Sequence, residues 1–248
     1  MIESRARFEL EVKTRGPAHH SFRQEWAALK RLFGPAHHRK TYGVVDTYFD
    51  TGDHRLLEAR CCLRTRRSSS ARKRYVFKES LAPWRNVRVA RELVDITGPA
   101  VLDLTNAFHR RLPTVARTVR VLGGGSPDGA DPDVIRTVRP VACLKTVRDL
   151  WWCQLPCSPV DIFCRVFVDH VDGFAVRNAT LTRVLQFSEL EIELHSDDTA
   201  PATVDLFDQA IERLATNGPI AWTPLSKFGF IVESMSRCAL TAQEESVI

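Results

Sequence analysis

The residues best suited to chemistry in this chain fall at every second position. Glu9, Glu11 and Lys13 alternate with Leu10 and Val12, and Glu189, Glu191 and Glu193 alternate with Leu190, Ile192 and Leu194. Arg64 and Arg66 alternate with Leu63 and Thr65, while Arg74 and Lys78 flank Val76 on one face, opposite Tyr75 and Phe77. A period of two belongs to a strand, so each charged set occupies one face of one strand. Like charges at neighbouring positions repel, and a merely solvated strand mixes signs and uses Ser or Thr. Carboxylates gathered on one strand and guanidiniums on another suit a ligand that needs both signs. Guanidinium and ammonium groups neutralise phosphoryl oxygens, and clustered carboxylates hold hard divalent cations such as Mg²⁺ or Mn²⁺. That is chemistry for a polyphosphate, in which positioning and charge stabilisation do most of the catalysis and no strong nucleophile is required.

Strands must carry these residues, and the pattern supplies them. Phe8 to Lys13 is the first, and Ser21 is placed to cap a helix whose Phe22, Trp26, Leu29 and Phe33 recur at helical spacing until Gly34-Pro35. Thr41 to Phe49 is β-branched and aromatic and ends in the turn Asp50-Thr51-Gly52-Asp53. Cys61 to Arg67 and Arg74 to Lys78 read as a hairpin across Ser68-Ser69-Ser70, and Val87 to Ile96 follows. Pro99 to Ala116 suggests a helical excursion around Val101-Leu102 and Phe108. Gly123 to Gly129 reads as a flexible loop, and no Gly-Lys-Ser/Thr follows to make it a phosphate-binding loop. Val141 to Trp152, Asp161 to Val168, Phe174 to Asn178 and Phe187 to His195 give four further strands. Pro201 to Leu214 is amphipathic through Val204, Ile211 and Leu214 and closes at Asn217-Gly218-Pro219.

Eight or nine strands with two helices imply an α+β chain built on one closed or strongly curved antiparallel sheet. The apolar strand faces then pack outward against helices and loops, and the charged faces line a polar interior. No linker divides the chain. The expected domain is 1–235 with an insertion near 106–140, and 236–248 is a C-terminal tail.

Composition removes other classes. The 248 residues are 44% hydrophobic, enough for a real core, and the net charge of +5 is too small to demand nucleic acid or an anionic membrane. No apolar run approaches the ~20 residues that span a bilayer. The first residues, Met-Ile-Glu-Ser-Arg-Ala-Arg, lack the apolar stretch of a signal peptide, so the expected location is cytosolic. Seven scattered cysteines fit reduced thiols better than a disulfide framework. Cys153 and Cys157 have no accompanying CxxC, and the His19-His20 and His37-His38 pairs flank the first helix rather than converging.

Taken in order, Glu9-Leu10-Glu11-Val12-Lys13, Asp46 to Thr51, Leu63-Arg64-Thr65-Arg66, Lys78, Arg91-Glu92-Leu93, Arg148, Asp169, Glu189 to Glu193 and Ser226-Lys227-Phe228 resemble the CYTH branch of the triphosphate tunnel metalloenzymes. The resemblance spans Phe8 to about Ile231. It implies an eight-stranded antiparallel β-barrel with a few packing helices, enclosing a tunnel. It also implies hydrolysis of the terminal phosphoanhydride of a small triphosphate, dependent on Mg²⁺ or Mn²⁺. Carried over by residue, Lys13, Arg64, Arg66, Lys78, Arg148 and Lys227 bind the triphosphate. Glu9, Glu11, Asp169, Glu189, Glu191 and Glu193 hold metal, and Glu9, Glu11, Lys13 and Glu92 form the catalytic group. Lys145 shares a strand with Arg148 but has the opposite parity, so Arg148 is the inward one. Val94 stands where some members carry another acid.

The Ser-Glu-Leu-Glu-Ile-Glu-Leu segment is most similar to bacterial-type inorganic triphosphatases, which makes inorganic triphosphate the expected substrate. The alternatives are a class IV-type adenylyl cyclase on the same fold and a non-catalytic polyphosphate- or nucleotide-binding module. A pure anion binder gains nothing from seven acids facing its ligand. A nucleic-acid barrel needs aromatics interleaved with bases on an open face, whereas these aromatics sit mostly on the apolar faces.

Overall fold

The computed structural model describes residues 6–68, 72–81, 87–95, 98, 102–125, 131–154, 163–196, 201–216, 222–223 and 225–245. Several positions used above lie outside the described residues: Ser69, Ser70, Val101, Ser126 to Gly129, Cys157, Asp161 and Asn217 to Pro219.

The chain has eight strands: β1 (Ala6–Pro17), β2 (Ala36–Asp50), β3 (Cys61–Ser68), β4 (Arg74–Ser80), β5 (Arg88–Asp95), β6 (Arg139–Gln154), β7 (Phe163–Arg177) and β8 (Thr180–Ser196). They close in the order β1, β5, β4, β3, β2, β6, β7, β8, every neighbour antiparallel, so the barrel leaves no free edge. The expected barrel is the observed one.

Two of the expected strands are one. The segments around Asp161–Val168 and Phe174–Asn178 form the continuous β7, which passes through Asp169 and Asp172-Gly173. Asp-Gly reads as a turn, but here the register shifts between Gly173 and Phe174, a bulge that bends the strand without ending it. The real turn comes at Asn178 and Ala179, both left-handed at φ 48° and 62°. It is a two-residue hairpin of the kind whose twist matches its strands, so β8 begins at Thr180, ahead of Phe187.

Three apolar clusters clothe the barrel. On one side α1 (Arg23–Leu29) and α5 (Pro201–Thr216) bury Trp26, Leu29, Phe207, Ile211 and Leu214 against Leu10, Val12, Val166, Leu190 and Ile192. The N-cap of α1 is Phe22, so Ser21 lies one residue early, and its Oγ accepts only a long 3.4 Å bond from the Arg23 N–H. On another side α2 (Arg55–Glu58), α3 (Pro113–Leu122) and α4 (Pro132–Thr137) supply Leu56, Val115, Leu122 and Ile135 against Leu63 and Phe77. The helix in this region therefore starts at Pro113, later than the expected excursion, because Pro pre-sets the first turn. Thr114 N–H donates to the Asp95 carboxylate at 3.1 Å and pins that start to β5. Most of the long 106–140 stretch is thus outer cladding. Its Gly124 and Gly125, at φ +64° and +81°, end α3 in a conformation that L side chains rarely adopt.

The third cluster is inside. A helix beyond the two expected, α6 (Lys227–Glu245), starts at one end of the barrel, and it runs across 236–245, where the reading places a tail. Ser226 Oγ accepts the Gly229 N–H at 2.9 Å and caps it. Phe228, Ile231 and Val232 pack on Tyr48, Ala142, Leu144, Val171 and Phe187, with the Phe228 and Tyr48 rings stacked 4.9 Å apart. That end of the barrel is apolar and filled. Among the described residues no helix is long and apolar enough to cross a membrane.

Candidate active site

Strand alternation inside the barrel brings residues from each charged set named above to one cavity of about 780 Å³. Leu10, Val12, Leu190 and Ile192 face the outer cladding, which forces Glu9, Glu11, Lys13, Glu191 and Glu193 inward. Arg64, Arg66, Lys78, Glu92, Arg148 and Lys227 share that lining, while Asp169 and Glu189 lie just behind it, fully buried. Lys145 is exposed on the outer face, its ammonium 4.9 Å from the Phe174 ring centroid, so parity selects Arg148 as expected. Twelve of the residues around the cavity are Lys or Arg and five are Glu, so among the described residues the lining is built for an anion.

The register of β1 on β8 puts Glu11 beside Glu193, Lys13 beside Glu191 and Arg15 beside Glu189. Cations separate the carboxylates that this crowding brings together. Lys78 Nζ lies 2.5 Å from Glu9 Oε2 and 3.4 Å from Glu92 Oε2. Arg88 binds Glu11, Arg165 binds Glu193, and Arg15 Nε donates to Glu189 Oε2 at 2.5 Å. Arg148 grips Asp169 through two bonds of 2.8 and 2.6 Å and lies over the Phe167 ring. Lys227, delivered by the first turn of α6, sits 2.5 Å from Glu189, 2.7 Å from Glu191 and 3.1 Å from Asp169. Arg66 holds Asp46 in a two-pronged pair of 2.8 and 2.7 Å, with Arg64 3.6 Å from the same carboxylate.

These neighbours set the charge states. Burial raises the Glu9 carboxyl above the ordinary range, and the Glu193 and Glu92 carboxylates add to that against the pull of Lys78. Burial also opposes ionisation of Glu92, but Lys78 and Arg64 outweigh it and hold that carboxyl at about 2. Glu191 stays well below the ordinary carboxylate range because Lys13, Lys227 and Arg148 overcome its burial. Burial disfavours the charged forms of Lys78 and Lys227, yet the carboxylates around them raise both far above an ordinary lysine.

Two carboxylate trios could hold a cation, each with one oxygen per residue within 4.8 Å of the others: Glu9 with Glu191 and Glu193, and Asp169 with Glu189 and Glu191. Hard oxygen donors of this kind fit Mg²⁺ or Mn²⁺. The second trio already carries Lys227 and the Arg148 fork. The first opens on the cavity, where a cation has access, and Lys78 and Arg165 each reach only one of its carboxylates, so the better fit lies there. Glu11 belongs to neither trio and pairs with Lys13 at 3.2 Å and with Arg88.

The sequence reading misses Arg15, Arg88 and Arg165. The signal was present, since each shares parity with an assigned neighbour: Arg15 with Lys13, Arg88 with Glu92, and Arg165 with Asp169. It also misses the floor laid by Phe228, which periodicity cannot show because Phe228 belongs to a helix that enters a barrel end.

A search among solved structures finds the same architecture. The Hippeastrum protein HpAC1, described as a candidate adenylyl cyclase with a dominant triphosphatase activity, aligns at a TM-score of 0.52 and 18% identity over 91% of this chain and 95% of its own. A candidate adenylate cyclase from Bacillus halodurans aligns at 0.48 and 17% identity over 90% and 95%. No curated protein sequence matches the chain. The family model described as the CYTH domain matches residues 7–217, and with the closed barrel and its charged interior already in view, the chain belongs to the CYTH domain family.

Proposed function

We propose that the chain is a divalent-metal-dependent triphosphatase that hydrolyses the terminal phosphoanhydride of a small triphosphate, with inorganic triphosphate the preferred substrate. One observation carries this reading: a cavity with one apolar, packed end, lined by twelve cations among the described residues, with a carboxylate trio open to it. The cations suit three linked phosphates, and the carboxylates serve a cation that offsets their own repulsion of the substrate. Lys13, Arg64, Arg66, Lys78, Arg148 and Lys227 bind phosphoryl oxygens. Arg64 is suited to this, since its buried Nε has no hydrogen-bond partner. Glu9, Glu191 and Glu193 hold Mg²⁺ or Mn²⁺, with Asp169 and Glu189 behind them. When bound, the cation supplies charge neutralisation on the phosphates and a Lewis acid for the phosphoryl group undergoing attack. Glu92, ionised beside Glu9, is placed with Glu11 to orient the attacking water, and Lys13 screens the charge that develops.

The packed floor favours hydrolysis over cyclisation, because a nucleoside then has only the mouth to occupy. The whole chain through α6 acts as one domain, in the cytosol, on a small molecule and without nucleic acid or membrane. The test is product analysis by ³¹P NMR with inorganic triphosphate and with ATP, in Mg²⁺, in Mn²⁺ and in excess chelator. Pyrophosphate and orthophosphate from triphosphate, formed faster than ADP from ATP and abolished by chelation, are expected. Cyclic AMP with pyrophosphate as the main products would replace the hydrolase by a cyclase, and full turnover in chelator would remove the metal.

A further inference from the structure

Arg15 shares the interior parity of Glu9, Glu11 and Lys13, yet it is not among the residues that line the cavity. It lies one step nearer the packed floor, paired in register with Glu189. Its side chain is 8% exposed, and its guanidinium carbon stands 5.5 Å from the Phe187 ring centroid and 5.0 Å from that of Phe230, two rings that meet edge to face. Burying a guanidinium is costly unless its partners repay it, and a cation out of reach of the cavity has no substrate to do so.

Its hydrogen bonds show what it holds instead. Nε donates to Glu189 Oε2 at 2.5 Å, and Nη2 donates to the Leu225 carbonyl at 2.8 Å. Glu189 Oε1, the other oxygen of the same carboxylate, is 2.5 Å from Lys227 Nζ. Leu225 directly precedes Ser226, whose Oγ caps α6, and Lys227 opens that helix. One guanidinium thus restrains Lys227 at both ends, through the backbone that carries it and through a carboxylate that its ammonium meets. Thr223 N–H, donating to the Lys13 carbonyl at 2.8 Å, ties the same segment to β1 a second time. Lys227 also lies 2.7 Å from Glu191 and lines the cavity. Among the described residues Glu189 forms ion pairs with Arg15 and Lys227. Left with Lys227 alone, this fully buried carboxylate would draw the ammonium toward itself, away from Glu191 and the cavity.

We propose that Arg15 is a positioning residue that keeps the Lys227 ammonium at the cavity wall through a two-point grip on Glu189 and on the Leu225 carbonyl. That the ammonium then meets a phosphoryl oxygen rests on the triphosphatase reading, and the grip itself does not. A guanidinium offers its donors in a rigid planar fork, whereas an ammonium is a point charge on a flexible stem. Lysine in place of Arg15 would therefore neutralise Glu189 without reproducing both bonds.

The experiment is a double-mutant cycle of Arg15→Gln and Lys227→Met in the whole chain, with Arg15→Lys beside it. Calorimetric affinity for triphosphate and kcat/KM are read at fixed free Mg²⁺. The Lys227 side chain is followed directly through its ¹³Cε–¹Hε NMR signal, assigned by its loss in Lys227→Arg. Arg15→Gln should lower affinity and kcat/KM about tenfold on its own but less than about twofold in the Lys227→Met background, since residues that act through one another are not additive. Arg15→Lys keeps the charge, and so also serves should Arg15→Gln not fold; it should show most of the same loss at a nearly unchanged Tm. The Lys227 signal should shift in both Arg15 variants. Equal losses in the two backgrounds would reduce Arg15 to a structural residue and overturn the proposal, and full recovery in Arg15→Lys would overturn the two-point grip. A Lys227 signal unmoved by loss of Arg15 would overturn it whatever the activity. A shifted signal in a protein whose wild type neither binds nor hydrolyses triphosphate would sink the triphosphatase reading and leave the grip standing.

Discussion

Lys227 tests the electrostatic design directly, because its ammonium is the point where three fully or nearly buried carboxylates meet. Nζ lies 2.5 Å from Glu189, 2.7 Å from Glu191 and 3.1 Å from Asp169, and the lysine side chain is 8% exposed. Lys227→Met keeps the length and apolar stem while deleting the charge. Arg148 remains on Asp169 and Arg15 on Glu189, but Glu191 is left with Lys13 at 3.8 Å and a 3.5 Å approach from Arg148. Removing one partner from a buried ion pair typically costs about 3–5 kcal/mol, since the desolvated partner is left uncompensated. For a chain of this size that corresponds to a fall in Tm of about 6–20 °C. The measurement is thermal unfolding by circular dichroism, with Lys227→Arg as the charge-retaining control. Mg²⁺ should raise the Tm of Lys227→Met more than that of wild type, because a divalent cation can then neutralise Asp169, Glu189 and Glu191 in place of the ammonium. A Lys227→Met protein that melts within about 2 °C of wild type, with no greater response to Mg²⁺, would show that α6 does not deliver this charge into the barrel.

Two further outcomes follow from the same geometry. Arg64→Ala should weaken triphosphate binding as well as turnover by deleting a charge-assisted contact worth about 1.5–3 kcal/mol, whereas Glu191→Gln should lose turnover with triphosphate binding largely kept. Calorimetry beside steady-state kinetics separates the two, and an active Glu191→Gln with a normally binding Arg64→Ala would mean that these faces do not meet the substrate. Asp46 predicts a pH effect. Its carboxyl is buried, which opposes ionisation, but Arg66 and Arg64 hold it below its unfolded value, so its contribution to stability is present above that value, about 4, and is lost as pH falls through the folded one. Asp46→Asn should therefore be clearly less stable than wild type at neutral pH, with the gap narrowing below about pH 4 in denaturant titrations. A gap that does not change with pH would remove the Asp46–Arg66 pair from the balance.

Alternation along single strands made most of the barrel and most of its lining legible in advance. Each of Phe8–Lys13, Leu63–Arg66, Arg74–Lys78 and Glu189–Glu193 has one apolar and one charged face, and water decides which face the cladding covers. A polar interior then follows once the strands close, and Arg148 over Lys145 follows from parity alone. What alternation could not reveal are relations between elements far apart in the chain. That Asp172-Gly173 is a bulge within β7 rather than a turn depends on β8 and β6 pairing on either side of it. That Glu9, Glu191 and Glu193 form a trio, and that Arg88 and Arg165 neutralise Glu11 and Glu193, depends on the register between strands. The closed floor is the clearest case. Residues 227–245 carry no strand pattern and no charge pattern that marks a plug, and their role arises only because Tyr48, Ala142, Leu144, Val171 and Phe187 converge at one end of the barrel, leaving an apolar surface that Phe228 and Ile231 must cover.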